Sequence, residues 1–412
     1  MKKSLKAVVL FTIILILIWI FYNTLSFVSL PNSISQNGIR GVENVRYSEQ
    51  IAEARAYLKT IPDKINVPSF SVAVGLNGSV VWSEAVGFQN IKNKTSASPN
   101  TIYRIGSTSK AVTSTLVAKI FEEGGIDLEY SITDEIENYP KKEWSFTPRQ
   151  LLSHSAGIPD YEDLKIHGLY STLCNCKNYK SVTESLSIFN DVELQYKPNT
   201  NYEYTSMDFI LLSAYLEEQT KKDFLSLLEE KLFDPLDMTN TFGDHSHNQK
   251  RNIATFYETK KNKYRNWKTF GFIPNDIDLS YKWAGGGIMS TPTDLVKMGN
   301  AILTDSIFLS ANTKSIFFEP QMLNSGEINP QRYALGWRSY KEYKNDKFDK
   351  SVWMVHHGGV SKGSMNFLVL FPEYELVIDA SINTRAEDFL IFWEEVMKLA
   401  SFFLNQEIKK GY

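Results

Sequence analysis

The chain has 412 residues, a formal net charge of -3, and 43% hydrophobic and 22% charged residues. This is an ordinary globular composition with enough length for a large core, in one domain or in two closely joined subdomains. The slightly negative charge gives no reason to expect a nucleic-acid surface, and the sequence shows no repeat at a solenoid period.

The first predicted element is an apolar segment behind a basic flank. Three lysines lie within the first six residues, and a nearly continuous apolar run from Ala7 to Tyr22 follows them. This pattern is typical of a signal sequence or a short signal-anchor helix. The basic flank predicts a cytoplasmic N-terminus and export of everything after the segment. We therefore expect a protein that is anchored in the cell membrane or that is periplasmic or extracellular.

The next elements predict a sheet that is made from both ends of the chain. Helical spacing at residues 47–61 is followed by two alternating runs around Asn77-Gly78, which is a hairpin signal. From Ser107 to about Leu303 the pattern is mostly helical, and alternating runs then return before a final helix. The predicted fold class is α+β: an antiparallel sheet flanked by N- and C-terminal helices, with an inserted, mostly helical subdomain.

The predicted domain boundaries follow from this order of elements. Residues 1–27 form the signal sequence or transmembrane anchor, residues 28–47 form a linker, and residues 48–408 form the folded domain. The helical insertion occupies about 109–284 within that domain. A basic stretch inside the insertion, 250–268, is interpreted as a solvated face because the chain as a whole is slightly acidic.

Two groups of potential metal ligands are interpreted as ordinary loop residues. Cys174 and Cys176 are separated by one residue, so a disulfide would close only a very small loop. Zinc would need further ligands nearby. We interpret both cysteines as thiols in a loop and leave their redox state open. Asp244, His245 and His247 are close only in sequence, and we expect no metal and no cofactor.

The strongest chemical signal is a serine and a lysine at the start of a predicted helix. In the stretch YRIGSTSKAVTSTLVAKIFEEGG, Lys110 follows Ser107 by three residues. Helix N-termini carry partial positive charge and prefer Asp or Glu, so a lysine in the first turn of a buried helix needs a reason. Residues three apart lie on one helix face, which lets Lys110 reach Ser107 and act as its general base.

Two further motifs follow along the chain. YEYTSMDF holds Tyr204 to Ser206, and VHHGGVSKG holds His356 to Gly359. With the Ser-x-x-Lys, they make the chain resemble the serine β-lactamase and penicillin-binding-protein superfamily, in the branch of class C β-lactamases, D,D-peptidases and esterases. The resemblance runs from about residue 51 to the C-terminal helix. The stretch SYKWAGGGIMSTPTDLVKMGNAIL is most similar to the mitochondrial β-lactamase-like serine proteases and their bacterial relatives.

The resemblance implies a role for each motif residue. Ser107 would be the nucleophile, Lys110 its base, and Tyr204 would share proton transfer toward the leaving group. The backbone N–H groups of Ser107 and Gly359 would bind the oxyanion. Gly358 and Gly359 would let the backbone approach the substrate closely.

Two departures from the family pattern bear on the substrate. Ser206 stands where many β-lactamases have an asparagine that orients the substrate carbonyl, and His356-His357 stand where many have Lys-Thr, which binds a carboxylate. A mostly neutral imidazole binds carboxylate less well than an ammonium. Both departures argue against an efficient β-lactamase and are compatible with a peptidase or an esterase. His154 in LLSHSAG is interpreted as structural.

We therefore expect an exported or membrane-tethered serine hydrolase that forms an acyl-enzyme and cleaves a peptide or small amide. The alternatives are an esterase of the same fold, a weak β-lactamase, or a non-catalytic sensor or structural protein. The expected partners are a small-molecule or peptide substrate and a membrane bound through the N-terminal helix, with no nucleic acid. The sequence leaves the substrate and the oligomeric state open.

Overall fold

The computed structural model describes most of the chain. The described residues are 9–17, 27–30, 38–132, 135–136, 139–174, 177–244, 252–260, 263–267 and 277–409. Within these ranges, no helix has both the length and the apolar character needed to cross a lipid bilayer. The predicted signal or anchor segment is described mainly at 9–17, which is helical, so its role stays a prediction.

The secondary structure follows the order that the sequence predicts at both ends. The helices are α1 (9–17), α2 (Ser48–Leu58), α3 (Ile61–Lys64), α4 (Ser109–Glu122), α5 (Pro148–Leu152), α6 (Ile166–Cys174), α7 (Val182–Leu186), α8 (Met207–Thr220), α9 (Phe224–Leu228), α10 (Trp283–Gly286), α11 (Pro292–Thr304), α12 (Ala311–Phe318) and α13 (Phe389–Lys409). The strands are β1 (Val28–Ser29), β2 (Ile39–Glu43), β3 (Ser69–Leu76), β4 (Ser79–Asn90), β5 (Thr95–Ser96), β6 (Tyr103–Arg104), β7 (Phe242–Gly243), β8 (Tyr257–Lys260), β9 (Lys263–Asn266), β10 (Ile288–Ser290), β11 (Arg338–Tyr343), β12 (Val352–Ser361), β13 (Ser364–Phe371) and β14 (Leu376–Ile382).

The central sheet joins the two ends of the chain. Its strand order is β11-β12-β13-β14-β3-β4-β2, with β5 paired to β4. All of these pairings are antiparallel. The junction is the pairing of β14, from the C-terminal part, with β3, from the N-terminal part, where Ile382 lies opposite Phe70. The α+β fold class predicted from the sequence is therefore confirmed.

Side-chain alternation gives this sheet two buried faces. Phe70 and Val72 of β3 belong to the core formed with the terminal helices α2 and α13. Ala73, the residue after Val72, points to the opposite face and belongs to the core formed with the helical part. On the first face, Trp82 of β4 stacks on Phe403 of α13 with ring centroids 6.1 Å apart. Burying each large apolar side chain contributes about 1.5–3 kcal/mol, which makes the sheet a firm support for the helical part.

The helical part leaves and rejoins the sheet region at one place. β6 immediately precedes the start of α4, and β10 follows α10. The two strands pair with Met289 opposite Arg104, and the N–H of Ile105 donates to the carbonyl of Ile288 at 3.2 Å. The start of α4, which carries the predicted nucleophile, is thereby held next to α10.

The region predicted as mostly helical also contains strands. β8 and β9 form a hairpin in which Tyr257 lies opposite Asn266, and β1 pairs with β9. Tyr257 and Tyr264 are the buried residues of this hairpin, with ring centroids 6.4 Å apart. Two buried positions among lysines and asparagines are too few to give a strand pattern, which is why sequence reasoning missed the hairpin.

Candidate active site

The predicted nucleophile lies in a tight turn ahead of α4. Ser107 is half-buried, in the short turn Gly106–Thr108. Gly106 has φ +54°, and a Cβ at this position would lie 2.7 Å from the carbonyl carbon and oxygen of Val360. Only glycine combines that conformation with so close an approach. The backbone of the nucleophile turn therefore lies directly against β12.

The lysine of the Ser-x-x-Lys motif is completely buried beside this turn. Its Nζ lies 3.2 Å from Ser107 Oγ, 3.2 Å from Ser206 Oγ and 2.8 Å from the carbonyl oxygen of Gly285. The three partners come from the turn, from the residue before α8, and from α10. The lysine at this helix start is thus the point where three separate segments meet, which explains why an unfavourable residue for a first turn stands there.

Tyr204 contributes its ring, rather than its hydroxyl, to the lysine. Lys110 Nζ lies 4.7 Å from the centroid of the Tyr204 ring. The Cζ atom of Arg338 lies 5.2 Å from the same centroid. Within the described residues, no hydrogen bond joins the Tyr204 hydroxyl to Lys110 or Ser107. The Tyr204 ring therefore lies next to the serine–lysine pair.

A buried histidine and aspartate support Tyr204. His154 Nδ1 lies 2.6 Å from Asp208 Oδ2, and the His154 ring centroid is 4.4 Å from that of Tyr204. Burial lowers the pKa of His154 well below its usual range, and nearby Lys110 adds to the effect. Burial raises the pKa of the Asp208 carboxyl well above its usual range. Both directions favour uncharged forms of the pair, which packs against Tyr204.

The two adjacent histidines of the third motif have different surroundings. His357 Nδ1 lies 2.8 Å from the carbonyl oxygen of Gly358 and must donate to it, so its Nε2 accepts from the Tyr333 hydroxyl at 3.0 Å. His356 instead lies among aromatic rings, with Trp393 at 4.6 Å and Phe367 at 5.4 Å between centroids. Its ring nitrogens have no hydrogen-bond partner in the part of the chain that the structure describes.

Neither histidine supplies a cation at neutral pH. Burial lowers the pKa of His356 well below its usual range, and the positive charge of Arg338 acts in the same direction. Burial also lowers the pKa of His357, again with a contribution from Arg338. The third motif therefore presents two neutral imidazoles, one in a hydrogen-bonded position near Tyr204 and one in an aromatic wall.

Every second backbone N–H group of β12 faces away from β13, on the side of the strand where β11 lies. Ser339 N–H donates to Arg332 on the outer side of β11, so Arg338 N–H faces β12, where Arg338 pairs with His356. Because N–H directions alternate along a strand, Val360 shares the direction of His356, and Gly359 has the opposite one, toward β13. Within the described residues, the pairing of β12 with β11 stops at His356, which leaves the Val360 N–H without a strand partner beside the nucleophile turn.

Gly359 lies where β12 meets the nucleophile turn. A Cβ at Gly359 would lie 1.8 Å from the carbonyl oxygen of Ile105 and 2.8 Å from the backbone nitrogen of Thr108. Its missing side chain is therefore what lets β12 and the nucleophile turn touch. Gly358 faces the other side, where a Cβ would lie 2.3 Å from Cζ of Phe389.

A pocket of 460 Å³ opens beside Ser107. Ser107 and Tyr204 line it on one side, and residues of β11, β12 and α13 line it on the other, including Arg338, His356 and Trp393. The structure thus brings Ser107, Lys110, Tyr204 and Ser206 together, and adds Gly358 and His356 through the pocket wall.

Sequence reasoning missed several residues of that wall, namely Gln331, Arg338, Tyr340, Phe389 and Trp393. Arg338 directly follows the YALGW stretch, which was the one available signal. The α13 residues meet the site only because the terminal helix packs on the sheet, and no local pattern encodes that contact.

The structure describes only some of the residues that the sequence offers as potential metal ligands. Cys176, His245 and His247 lie outside the described residues. Among the residues that are described, no cluster of three or more His, Cys, Asp or Glu side chains could hold a metal ion. The thiol and loop interpretations stay predictions.

Comparison with known proteins gives one consistent family. The mitochondrial serine beta-lactamase-like protein LACTB of Bos taurus is 27% identical over 420 residues, covering 82% of this chain and 74% of that protein. The octameric penicillin-binding protein homologue from Pyrococcus abyssi shares the fold, with a TM-score of 0.67 at 20% identity, over 87% of this chain and 77% of the homologue. The D-amino acid amidase from Ochrobactrum anthropi SV3, solved with D-phenylalanine, also has a TM-score of 0.67 at 20% identity, over 87% of this chain and 100% of the amidase.

The sequence profile of the Beta-lactamase family matches residues 54–397, most of the folded chain. The match contains the serine–lysine turn, the Tyr204 motif and the edge of β12. The chain therefore belongs to the Beta-lactamase family, within the serine β-lactamase and penicillin-binding-protein superfamily, and has its serine hydrolase fold.

Proposed function

We propose that this protein is a serine hydrolase that cleaves a peptide or small amide through an acyl-enzyme. The observation that carries the proposal is the 3.2 Å contact between Lys110 Nζ and Ser107 Oγ, on a wall of the pocket and beside an open strand edge. A serine hydroxyl is a weak nucleophile until a base takes its proton, and the buried lysine is positioned to be that base.

The proposed reaction has two stages. In its neutral form, Lys110 accepts the Ser107 proton as Oγ attacks the carbonyl carbon of the substrate. The carbon–nitrogen bond then breaks, the amine leaves with a proton passed from Lys110 through Tyr204, and an ester to Ser107 remains. Water attacks that ester, returns a proton to Ser107 and releases the carboxylic acid.

The oxyanion of each tetrahedral intermediate needs two backbone donors. We propose the N–H groups of Ser107 and Val360 for this role. Val360 replaces Gly359 because the alternation along β12 turns the Gly359 N–H into the ladder with β13. Gly359 keeps a structural role, since its missing side chain lets the strand touch the turn.

Amide substrates are preferred over β-lactams in this proposal. Burial and the charge of Arg338 lower the pKa of His356 and of His357, so the third motif itself lacks the cation that it supplies in many β-lactamases. The relatives named above include an amidase and a penicillin-binding protein homologue, which supports amide chemistry on this fold.

The direct test is intact-mass analysis after treatment with a fluorophosphonate probe. We expect one adduct on the parent protein and none on Ser107→Ala. Ser109→Ala is the matched control, since Ser109 belongs to the same motif but its hydroxyl accepts a hydrogen bond from the Ile288 N–H. Labelling should persist in Ser109→Ala. An adduct on Ser107→Ala, or none on the parent, would contradict the mechanism.

We also propose that the N-terminal segment directs export or tethers the protein to a membrane. Its support is the basic flank and apolar run of residues 2–22 and the exposure of the apolar side chains in α1. An alkaline phosphatase fusion after Tyr412 should be active in a bacterial host. An inactive phosphatase fusion together with an active cytoplasmic reporter would exclude export.

A further inference from the structure

We propose that His154 and Asp208 are a positioning pair, which holds Tyr204 where its hydroxyl can protonate the leaving group. The inference rests on the proposed function, because it assigns two further residues to the same reaction. It gives His154 more than the structural role that its sequence context predicts. Both side chains are buried and neither is among those that line the pocket, so they affect the reaction through Tyr204.

The first support is the contact between His154 and the Tyr204 ring. The two ring centroids are 4.4 Å apart, with an interplanar angle of 56°. In the described part of the chain, the other aromatic neighbours of Tyr204 are more distant, with Tyr333 at 5.9 Å and His357 at 6.2 Å. His154 is therefore the ring that most closely limits where the phenol can lie.

The second support is that the backbone of His154 also holds the Tyr204 segment. The N–H of Glu203, directly before Tyr204, donates to the carbonyl oxygen of His154 at 3.0 Å. The hydroxyl of Tyr196 donates to the same oxygen at 3.3 Å. His154 thus fixes Tyr204 twice, through its ring and through its main chain.

His154 is in turn fixed by a residue in the first turn of α8. Its Nδ1 lies 2.6 Å from Asp208 Oδ2, which is a short hydrogen bond. Asp208 follows Ser206 by two residues, and Ser206 Oγ lies 3.2 Å from Lys110 Nζ. The start of α8 therefore sets the position of the proposed base and, through His154, that of the phenol.

The pair is costly for the fold, which speaks against a purely structural role. His154 has φ +58°, a left-handed conformation that is uncommon outside glycine. Within the described residues, His154 Nε2 and Asp208 Oδ1 are buried without a hydrogen-bond partner, and each such atom costs about 1–3 kcal/mol. Two apolar side chains could fill the same volume without these costs. Strained and unsatisfied groups cluster at active sites, where they serve the mechanism.

The proton step explains why the position of Tyr204 matters. As the carbon–nitrogen bond breaks, the Tyr204 hydroxyl donates its proton to the leaving nitrogen and takes one from Lys110, which received a proton from Ser107. Such a transfer needs heavy atoms within about 2.6–3.2 Å of each other, and a displacement of about 1 Å can slow a reaction about 10²-fold. Loss of the pair should slow reactions whose leaving group needs this proton and spare those whose leaving group does not.

The test varies the leaving group and keeps the rest of the probe constant. The probes are the ethyl ethylphosphonate esters of 4-nitrophenol and of phenol, which transfer the phosphonyl group to Ser107 Oγ and release the phenol. Unsubstituted phenol resembles the tyrosine side chain, with a pKa of about 10, whereas 4-nitrophenol is more acidic and leaves readily as the anion. Intact-mass analysis of the full chain over time measures both rates.

The main variant is His154→Phe/Asp208→Leu, which replaces both polar partners so that neither is left buried alone. We expect the phenyl ester to react about 10²-fold more slowly than with the parent, and the 4-nitrophenyl ester to be affected far less. Tyr204→Phe should show the same selective loss, and adding the double change to it should slow the phenyl ester no further. Asp208→Asn can still bond to His154 Nδ1, so it should keep more of the phenyl ester rate than Asp208→Leu.

Asp294→Leu is the matched control. Asp294 is also a buried acid in the first turn of a helix, α11, but its Oδ2 accepts from the Asn240 N–H and the Thr241 hydroxyl. Its replacement should change both rates by the same factor.

Three results would overturn the positioning role. They are equal losses with both esters in His154→Phe/Asp208→Leu, a further selective loss when this change is added to Tyr204→Phe, and a parent that reacts with the 4-nitrophenyl ester alone. If the double variant does not fold, His154→Asn takes its place, because asparagine tolerates a positive φ and removes the ring beside Tyr204. Equal losses with both esters in His154→Asn would then overturn the role.

The two proposals fail separately. If neither ester modifies Ser107 in the parent, the hydrolase mechanism is wrong and the positioning role falls with it. If Ser107 is modified and the variants lose both rates equally, the hydrolase remains and only the positioning role is removed.

Discussion

The pocket has two walls of opposite character. The catalytic wall consists of Ser107 in the nucleophile turn and of Tyr204. Behind it, hydrogen bonds tie the polar atoms together, as in the three contacts of Lys110 Nζ. The recognition wall is formed by β11, β12 and the start of α13, and consists of aromatic rings around His356 with one cation, Arg338. In the proposed mechanism, the first wall moves the proton and the second contacts the bound substrate.

The two walls should differ in how well they tolerate amino-acid substitutions. A buried polar network is destabilised when any one member loses its partner. An aromatic wall mainly needs volume and shape, and similar rings can replace one another at modest cost. We therefore expect changes on the catalytic wall to abolish chemistry and changes on the recognition wall to alter substrate preference.

The largest effect on the proposed chemistry is expected for Lys110→Met. Methionine fills much of the buried volume of lysine but cannot accept a proton from Ser107. Acylation by a fluorophosphonate should slow by about 10²–10⁴-fold, the usual contribution of a general base. The rate is measured by mass spectrometry over time. Lys119→Met on the same helix is the control, because Lys119 is partly exposed and bonds to the carbonyl of Phe308, away from the serine. Equal rates for Lys110→Met and the parent would remove the lysine from the mechanism.

The next largest effect is expected where the two walls touch. Gly359→Ala would place a methyl group 1.8 Å from the Ile105 carbonyl oxygen, so β12 or the nucleophile turn must shift. We expect a loss of about 3 kcal/mol in the free energy of unfolding, at the upper end of overpacking effects.

Urea unfolding measures that loss. Gly124→Ala serves as control, since Gly124 has φ +74° and no atom within 4 Å of its Cβ position. It should lose only the backbone strain of a positive φ, about 1 kcal/mol. A Gly359→Ala variant as stable as Gly124→Ala would show that the contact is not close.

The catalytic wall was largely predictable because its information is local. Ser107 and Lys110 are three residues apart, which places them together on any helix start, and Ser206 belongs to a motif with a fixed neighbour in Tyr204. The recognition wall depends on long-range packing. Phe389 and Trp393 reach the pocket only after α13 folds back on the sheet, and nothing near them in the sequence indicates it.

His356 and His357 show most clearly what the sequence alone does not predict. Adjacent strand residues point to opposite faces, so a pair of histidines predicts that one faces the catalytic wall without saying which. The register of β12 decides, and it also moves the proposed oxyanion donor from Gly359 to Val360. The two-residue turn at Lys362 and Gly363, which fixes the pairing of Ser361 with Ser364, was the sequence signal that could have set this register.

A smaller effect is expected for His357→Phe, which tests the hydrogen bond between His357 and Tyr333. The change leaves the Tyr333 hydroxyl without its acceptor, since His357 Nε2 is its partner at 3.0 Å. A buried hydroxyl without a partner costs about 1–3 kcal/mol. In a double-mutant cycle, Tyr333→Phe should cost much less in the His357→Phe background than in the parent, as measured by urea unfolding. Additive effects would show that the hydrogen bond does not contribute.

The smallest effect is expected for His356→Phe, and it depends on pH. Burial lowers the pKa of folded His356, whereas the unfolded chain binds a proton at about pH 6.5. The unfolded state therefore takes up more protons as the pH falls below 6.5, so the parent loses stability in that direction. From pH 6.5 to 5.5 this amounts to roughly 1 kcal/mol for one histidine with a strongly lowered pKa.

Phenylalanine removes this pH-dependent loss of stability and keeps a ring in the aromatic surroundings. No hydrogen bond of His356 within the described residues is lost. The free energy of unfolding of His356→Phe should therefore fall less between pH 6.5 and 5.5 than that of the parent. His154 and His357 still contribute in both proteins, since burial also lowers the pKa of each, so only the difference between the two curves reports on His356. Parallel curves for the parent and His356→Phe would mean that His356 binds a proton in the folded protein at the same pH as in the unfolded chain. Below about pH 6.5 the recognition wall would then hold a second cation beside Arg338.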